Sequence, residues 1–233
     1  VRVAGDTTRA APARPLAVEG AMLIPMQELR GDAVDARMDA VLARAGAYFM
    51  GQSPVHRAAE EIARRLDEAG IDYMIAGGLS LAFHGYERYT DDVDVVITRE
   101  GLEKFKERWL GLGYVNLRAG GKPVRDTTHN VKIDFLLTGE FPGDGKPKPV
   151  AVPEPRTASI SGQKYRVVSL PSLIELKLAS GMSAPHRGKD LVDVQELIHR
   201  TKIPRDLEGR LDPYVRARFL ELWELAQHPD DEH

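Results

Sequence analysis

The 233-residue chain contains no cysteine. Disulfide scaffolds, thiolate zinc sites, iron–sulfur clusters and cysteine nucleophiles are therefore excluded together. Aromatic residues are sparse, at 6%. No apolar run approaches the roughly 18 or more residues that a membrane-spanning helix needs, so no membrane partner is expected. Neither charge dominates: 32 Lys and Arg stand against 35 Asp and Glu, a formal net charge of -3. That excludes an overall basic coat for nucleic acid but leaves room for a local basic face. No His-Glu-x-x-His occurs and the seven histidines do not cluster, so metallopeptidase chemistry has no support. What remains is an ordinary globular composition, 42% hydrophobic and 29% charged. It suffices for a packed core with an appended helical part.

Three regions emerge from the pattern. Residues 1–20 hold Arg2, Arg9 and Arg14 among alanines and prolines. With no apolar segment behind them they read as a flexible arm rather than a signal peptide, and a cytoplasmic location is the default. Residues 21–169 carry N-terminal helices and then strands alternating with helices. Ser53-Pro54 opens a helix whose stripe is Val55, Ala58, Ala59, Ile62, Ala63 and Leu66, stopped by Gly70. Strands are predicted over Ile71–Ala76, Asp92–Ile97, Tyr114–Leu117 and Val131–Leu137, with short helices over Leu79–Phe83 and Leu102–Leu112. Phe141–Pro155, with five prolines and two glycines, is a loop, and Ser159–Val168 is a hairpin. Residues 170–233 are helical: Ser172–Ser180, Lys189–Arg200, and Pro204–Ala226 with a break near Asp212-Pro213. The fold class is mixed α/β (α+β), a mixed sheet flanked by helices with a helical C-terminal part.

The chemistry concentrates around Asp92-Val93-Asp94. Residues two apart on a strand share a face, so both carboxylates reach a common cation. Val93, Val95, Val96 and Ile97 embed that strand, and two like charges there repel each other and cost several kcal/mol each to desolvate. A divalent ion answers both problems. Asp134 interrupts the apolar strand Val131–Leu137 and needs an ion-pair partner, Arg88 or Lys132, or a metal. If the two strands are neighbours, three hard oxygen ligands converge, a set suited to Mg²⁺ or Mn²⁺. Gly77-Gly78 ends one strand and opens a helix, which admits a phosphate close to backbone N–H groups, with the Ser80 hydroxyl as a further donor.

Gly77-Gly78, thirteen residues, Asp92-Val93-Asp94-Val95, and a distant Ile133-Asp134-Phe135 resemble the DNA polymerase β-type nucleotidyltransferase superfamily. Arg88-x-Thr90-x-Asp92-x-Asp94 with Lys177 and Arg187-x-Lys189-Asp190 is similar to its AbiEii-like, minimal branch. Leu79-Ser80 departs from the Gly-Ser dipeptide of many members. The resemblance implies transfer of a nucleoside monophosphate from a triphosphate such as ATP to a hydroxyl of tRNA or other RNA, a protein or a small molecule. It also implies two Mg²⁺ ions on Asp92, Asp94 and Asp134, and a toxin role opposite an antitoxin protein. The nucleotide would be bound by Gly77, Gly78, Ser80, Arg88, Lys177, Arg187 and Lys189, with Lys177 on the β- and γ-phosphates. Residues 156–189 hold six basic residues and one acid, Glu175, which predicts a local positive field. Asp190 and Asp193 are spaced to orient these bases. The alternative is a catalytically silent module that binds nucleotide or a partner on the same fold.

Overall fold

The computed structural model describes residues 31–227, with side chains from Met38 onward. The expected flexible arm, residues 1–20, and residues 228–233 lie outside the described residues. Helix α1 (Gly31–Phe49) straddles the boundary between two units at Val41 and Leu42, and the second unit holds the sheet and the other helices.

Helix α2 (Pro54–Glu68) starts where the sequence marks it. The Ser53 Oγ accepts the His56 N–H, Pro54 occupies the first turn, and all six residues of the predicted stripe are buried. Gly70, at φ +63°, turns the chain into the sheet. Seven strands come after it in sequence: β1 (Tyr73–Ala76), β2 (Asp92–Ile97), β3 (Tyr114–Asn116), β4 (Val124–Asp126), β5 (Val131–Leu137), β6 (Ser159–Ser161) and β7 (Arg166–Val168). They form one mixed sheet in the order β3-β4-β5-β2-β1-β7-β6. β1 runs antiparallel to β2, while β2 pairs with β5, and β1 with β7, in parallel.

Period-two alternation divides the core between the two faces. Tyr73, Ile75, Val93, Val95, Ile97, Ile133 and Phe135 pack with α2 and with helix α4 (Arg99–Trp109). Met74, Ala76 and Val96 pack on the other face, against helices α6 (Leu170–Ser183), α7 (Gly188–Thr201) and α8 (Pro213–Gln227). Asp92, Asp94, Lys132 and Asp134 occupy alternate positions and so belong to this second face. It changes from apolar to charged toward the N-terminal ends of β2 and β5.

Several boundaries differ from the sequence reading. Helix α4 begins three residues early because Thr98 caps it, its Oγ1 accepting the Gly101 N–H at 3.0 Å. Gly77 and Gly78 open helix α3 (Gly77–Phe83) as expected, so the helix starts two residues before Leu79. Strand β4 is absent from the sequence reading, being three residues with the charged pair Arg125-Asp126. The one-turn helix α5 (Pro155–Ala158) closes the predicted loop. The last helical stretch resolves into a 3₁₀ segment (Arg205–Arg210) and α8, parted at Asp212-Pro213. No helix among the described residues is long and apolar enough to cross a membrane.

Phe105 anchors α4 to the sheet, fully buried with its ring centroid 5.0–5.3 Å from those of Trp109, Tyr114 and Phe135. Phe105→Ala should cost about 3–5 kcal/mol, read as a lower urea midpoint at unchanged slope.

Candidate active site

The parallel pairing of β2 with β5 decides the site. Asp94 lies directly opposite Asp134, and Asp92 opposite Lys132. Asp92, Asp94 and Asp134 each present an oxygen within 4.8 Å of the other two. Thr90, itself buried, donates from Oγ1 to Asp92 Oδ1 at 2.7 Å and fixes that carboxylate. The Lys132 Nζ pairs with Asp134 Oδ2, and this bond holds the ammonium above its usual pKa range. Burial, then the charges of Asp92 and Asp134, push the Asp94 carboxyl from 3.8 up to about 7, against the opposing pull of Lys177 and Arg187.

The two glycines serve this cluster directly. Gly77 sits at φ +61°, where a side chain is strained, and a Cβ there would overlap the Asp94 carboxylate. A Cβ on Gly78 would meet the Thr90 Cβ at 2.7 Å. The turn thus lets the backbone close on the acidic strand.

A cavity of about 1150 Å³ opens over these residues. Its wall includes Gly77, Gly78, Asp92, Asp94 and Asp134, and the basic residues Arg88, Lys122, Lys132, Lys177, Arg187 and Lys189. That volume exceeds the usual range for a single small ligand.

Not every residue is placed as the sequence suggested. Ser80 is fully buried and is not on the cavity wall. Its hydroxyl donates back to the Gly77 carbonyl at 2.9 Å, so the expected donor to phosphate is spent inside the helix. Arg88 donates from Nε and Nη2 to both oxygens of Asp193, at 2.7 and 2.9 Å. Lys177, only 7% exposed, holds its ammonium between Asp190 at 3.0 Å and Asp193 at 2.7 Å. Burial opposes the charge on Asp190, but Lys177, the Ser180 hydroxyl and Arg187 hold its carboxyl below the usual range. Asp190 and Asp193 do orient bases, though Asp193 holds Arg88 and Lys177 rather than Arg187 or Lys189. Arg187 and Lys189 stay exposed on the wall.

The predicted positive field from 156 to 189 is split. Arg156 pairs with Asp72, Lys164 with Glu60, and Arg166 with Asp67 and Asp72, none of them on the cavity. Lys122 and Lys132 supply basic wall in their place. Sequence reasoning treats Lys132 only as a partner for Asp134 and passes over Lys122. The signal for Lys132 is its position two residues before Asp134.

No family model and no curated protein matches the sequence. Among solved structures, the chain is similar to the antibiotic-resistance factor ANT(2″)-Ia, at 15% identity over 71% of this chain and 96% of that one, with a TM-score of 0.48. A protein of Thermotoga maritima described as a nucleotidyltransferase is 18% identical over 58% of this chain and 89% of that one, TM-score 0.39. An antigenic nucleotidyltransferase-like protein of Paracoccidioides brasiliensis is 18% identical over 75% and 88%, TM-score 0.41. At such identities the chemistry of the site is read from its own residues.

Two outcomes test this geometry. Asp94 keeps a proton in the folded protein at pH values where the unfolded chain has lost it. Its contribution to stability is therefore complete below 3.8 and lost as pH rises through about 7. Metal-free protein should melt at progressively lower temperature between about pH 5 and pH 8, and Asp94→Asn should flatten that slope. Gly77→Ala should destabilise by about 1–3 kcal/mol in chemical denaturation, through strain at positive φ and displacement of Asp94.

Proposed function

We propose that the protein is a divalent-metal-dependent nucleotidyltransferase that moves a nucleoside monophosphate from a nucleoside triphosphate to an acceptor hydroxyl, releasing pyrophosphate. The observation that carries this reading is the convergence of three carboxylates in one basic-walled cavity. The donor set fits Mg²⁺ or Mn²⁺. All three ligands are hard oxygens, and the Asp94 carboxyl is held protonated to about 7 until a cation relieves its neighbours.

Asp92, Asp94 and Asp134 would hold the ions. Bound there, divalent ions neutralise charge on the triphosphate and lower the pKa of the attacking hydroxyl. The remaining steps fall to the chain's own groups. Thr90 keeps Asp92 turned into the site. Gly77 and Gly78 leave the cavity wall free of side chains, so phosphate oxygens come close to backbone. Arg187 and Lys189, exposed on the wall, neutralise the outer phosphates. Asp134, on the strand beside Asp94, is the carboxylate that takes the proton of the acceptor hydroxyl.

The acceptor is a hydroxyl of tRNA or other RNA, of a protein or of a small molecule, and the cavity's volume leaves space for one beside a nucleotide. The AbiEii-like branch, and with it ATP as one donor and a toxin paired with an antitoxin, is supported by the Arg88-to-Asp94 and Lys177-to-Asp190 motifs.

The test incubates the protein with each labelled triphosphate, Mg²⁺, total RNA and candidate protein and small-molecule acceptors, followed by mass spectrometry. Acceptors gaining one nucleoside monophosphate, with pyrophosphate released, are expected. Asp92→Asn and Asp134→Asn should lower the rate at least about a hundredfold, beyond what loss of an outer-shell partner of a metal ligand costs. Metal-independent triphosphate binding that survives Asp94→Ala, with no transfer, would instead indicate a silent binding module.

A further inference from the structure

The acidic cluster carries a cation of its own. Asp92, Asp94, Lys132 and Asp134 form a square on one face of the sheet: Asp92 lies beside Lys132 and Asp94 beside Asp134 across the strands, and a two-residue step along each strand joins Asp92 to Asp94 and Lys132 to Asp134. Three corners are carboxylates and the fourth is an ammonium. Behind the square, Val93, Val95, Ile133 and Phe135 point into the opposite core and fix the register.

Most other cations of the wall are otherwise engaged. Arg88 and Lys177 are held by Asp193 and Lys122 by Glu140, and Arg187 pairs with Asp190 while staying exposed, as does Lys189. Among the described residues, Lys132 is the basic side chain whose ion-pair partner is itself one of the three carboxylates. Its side chain remains 41% exposed on the cavity wall, so it has freedom to move elsewhere.

We propose that Lys132 is the internal counter-ion of the carboxylate triad, and that a divalent ion binding there displaces its ammonium from Asp134 and hands it to the phosphates of the incoming triphosphate. This rests on the nucleotidyltransferase reading. An ammonium and a divalent ion repel each other and compete for the same oxygens of Asp134. The ammonium sits on a flexible four-carbon stem with three donors, and once released it needs a new anion. At this wall the triphosphate supplies one. Metal entry and triphosphate capture become a single coupled event, and the metal-free protein binds triphosphate less well because the Lys132 ammonium is held by Asp134.

The coupling predicts effects of opposite sign from one substitution. Mn²⁺ alone, titrated into full-length Lys132→Gln and followed by calorimetry or by the free-ion spin-resonance signal, should bind about tenfold tighter than to wild type, since a neighbouring positive charge is gone. A non-hydrolysable triphosphate analogue, titrated at saturating Mn²⁺, should bind about tenfold weaker, the loss of one charge-assisted phosphate contact. Lys132→Arg, which keeps charge and reach, should restore analogue binding toward wild type and guards against a folding defect in the Gln variant. Unchanged or weaker Mn²⁺ binding by Lys132→Gln, or unchanged analogue affinity at saturating Mn²⁺, overturns the proposal while leaving the nucleotidyltransferase reading intact. Wild-type protein that binds no Mn²⁺ overturns both.

Discussion

Three carboxyl side chains and one ammonium meet at one end of a sheet face whose other end is built for burial. Along the same face from Asp92, Asp94 and Asp134, Met74, Ala76 and Val96 enter the core against the C-terminal helices. Burial, then the charges of Asp92 and Asp134, raise the cost of ionising Asp94. The surroundings answer this constraint. Lys132 stands in the fourth corner, and Lys177 and Arg187 act on Asp94 from longer range. A glycine at 77 leaves the Asp94 carboxylate its space, and Thr90 secures Asp92. The three oxygens lie close enough together to share one divalent ion, which is the basis of the proposed catalysis by positioned charge.

The helical C-terminal part is bound into this arrangement. Asp193, 1% exposed on α7, receives Arg88 from the segment leading into β2 and Lys177 from α6. Asp190 adds Ser180 and Arg187. A buried network of this kind contributes less to stability than its bond count suggests, because each charge was desolvated to enter it. Its members are nonetheless interdependent, since removing Asp193 deprives both Arg88 and Lys177 of a partner. The network fixes the entry to the acidic strand against the helices that form the far wall of the cavity.

Much of this is legible in the sequence, for identifiable reasons. Alternation in β2 and β5 reveals the shared face of Asp92 and Asp94 and the misfit of Asp134, because strand periodicity survives without tertiary context. The cap at Ser53 and the stripe of α2 are equally local signals. What stays hidden depends on pairing. The register that sets Lys132 opposite Asp92 is a property of two strands some forty residues apart. The direction of a surface base is not encoded by its neighbours in sequence. Arg156, Lys164 and Arg166 therefore look like cavity residues, yet they pair with Glu60, Asp67 and Asp72 elsewhere. Ser80 fails for a local reason: its hydroxyl has the Gly77 carbonyl within one helical turn. Strand β4 is too short and too charged to stand out.

The central claim is that one group of three carboxylates holds the ions that receive a triphosphate. A crystal structure of the full chain grown with Mn²⁺ and a non-hydrolysable triphosphate analogue tests it most directly. Anomalous density about 2.1 Å from oxygens of Asp92, Asp94 and Asp134, with the α-phosphate on the same ions, is the predicted result. Ions bound elsewhere, or an analogue seated away from these three side chains, would contradict it.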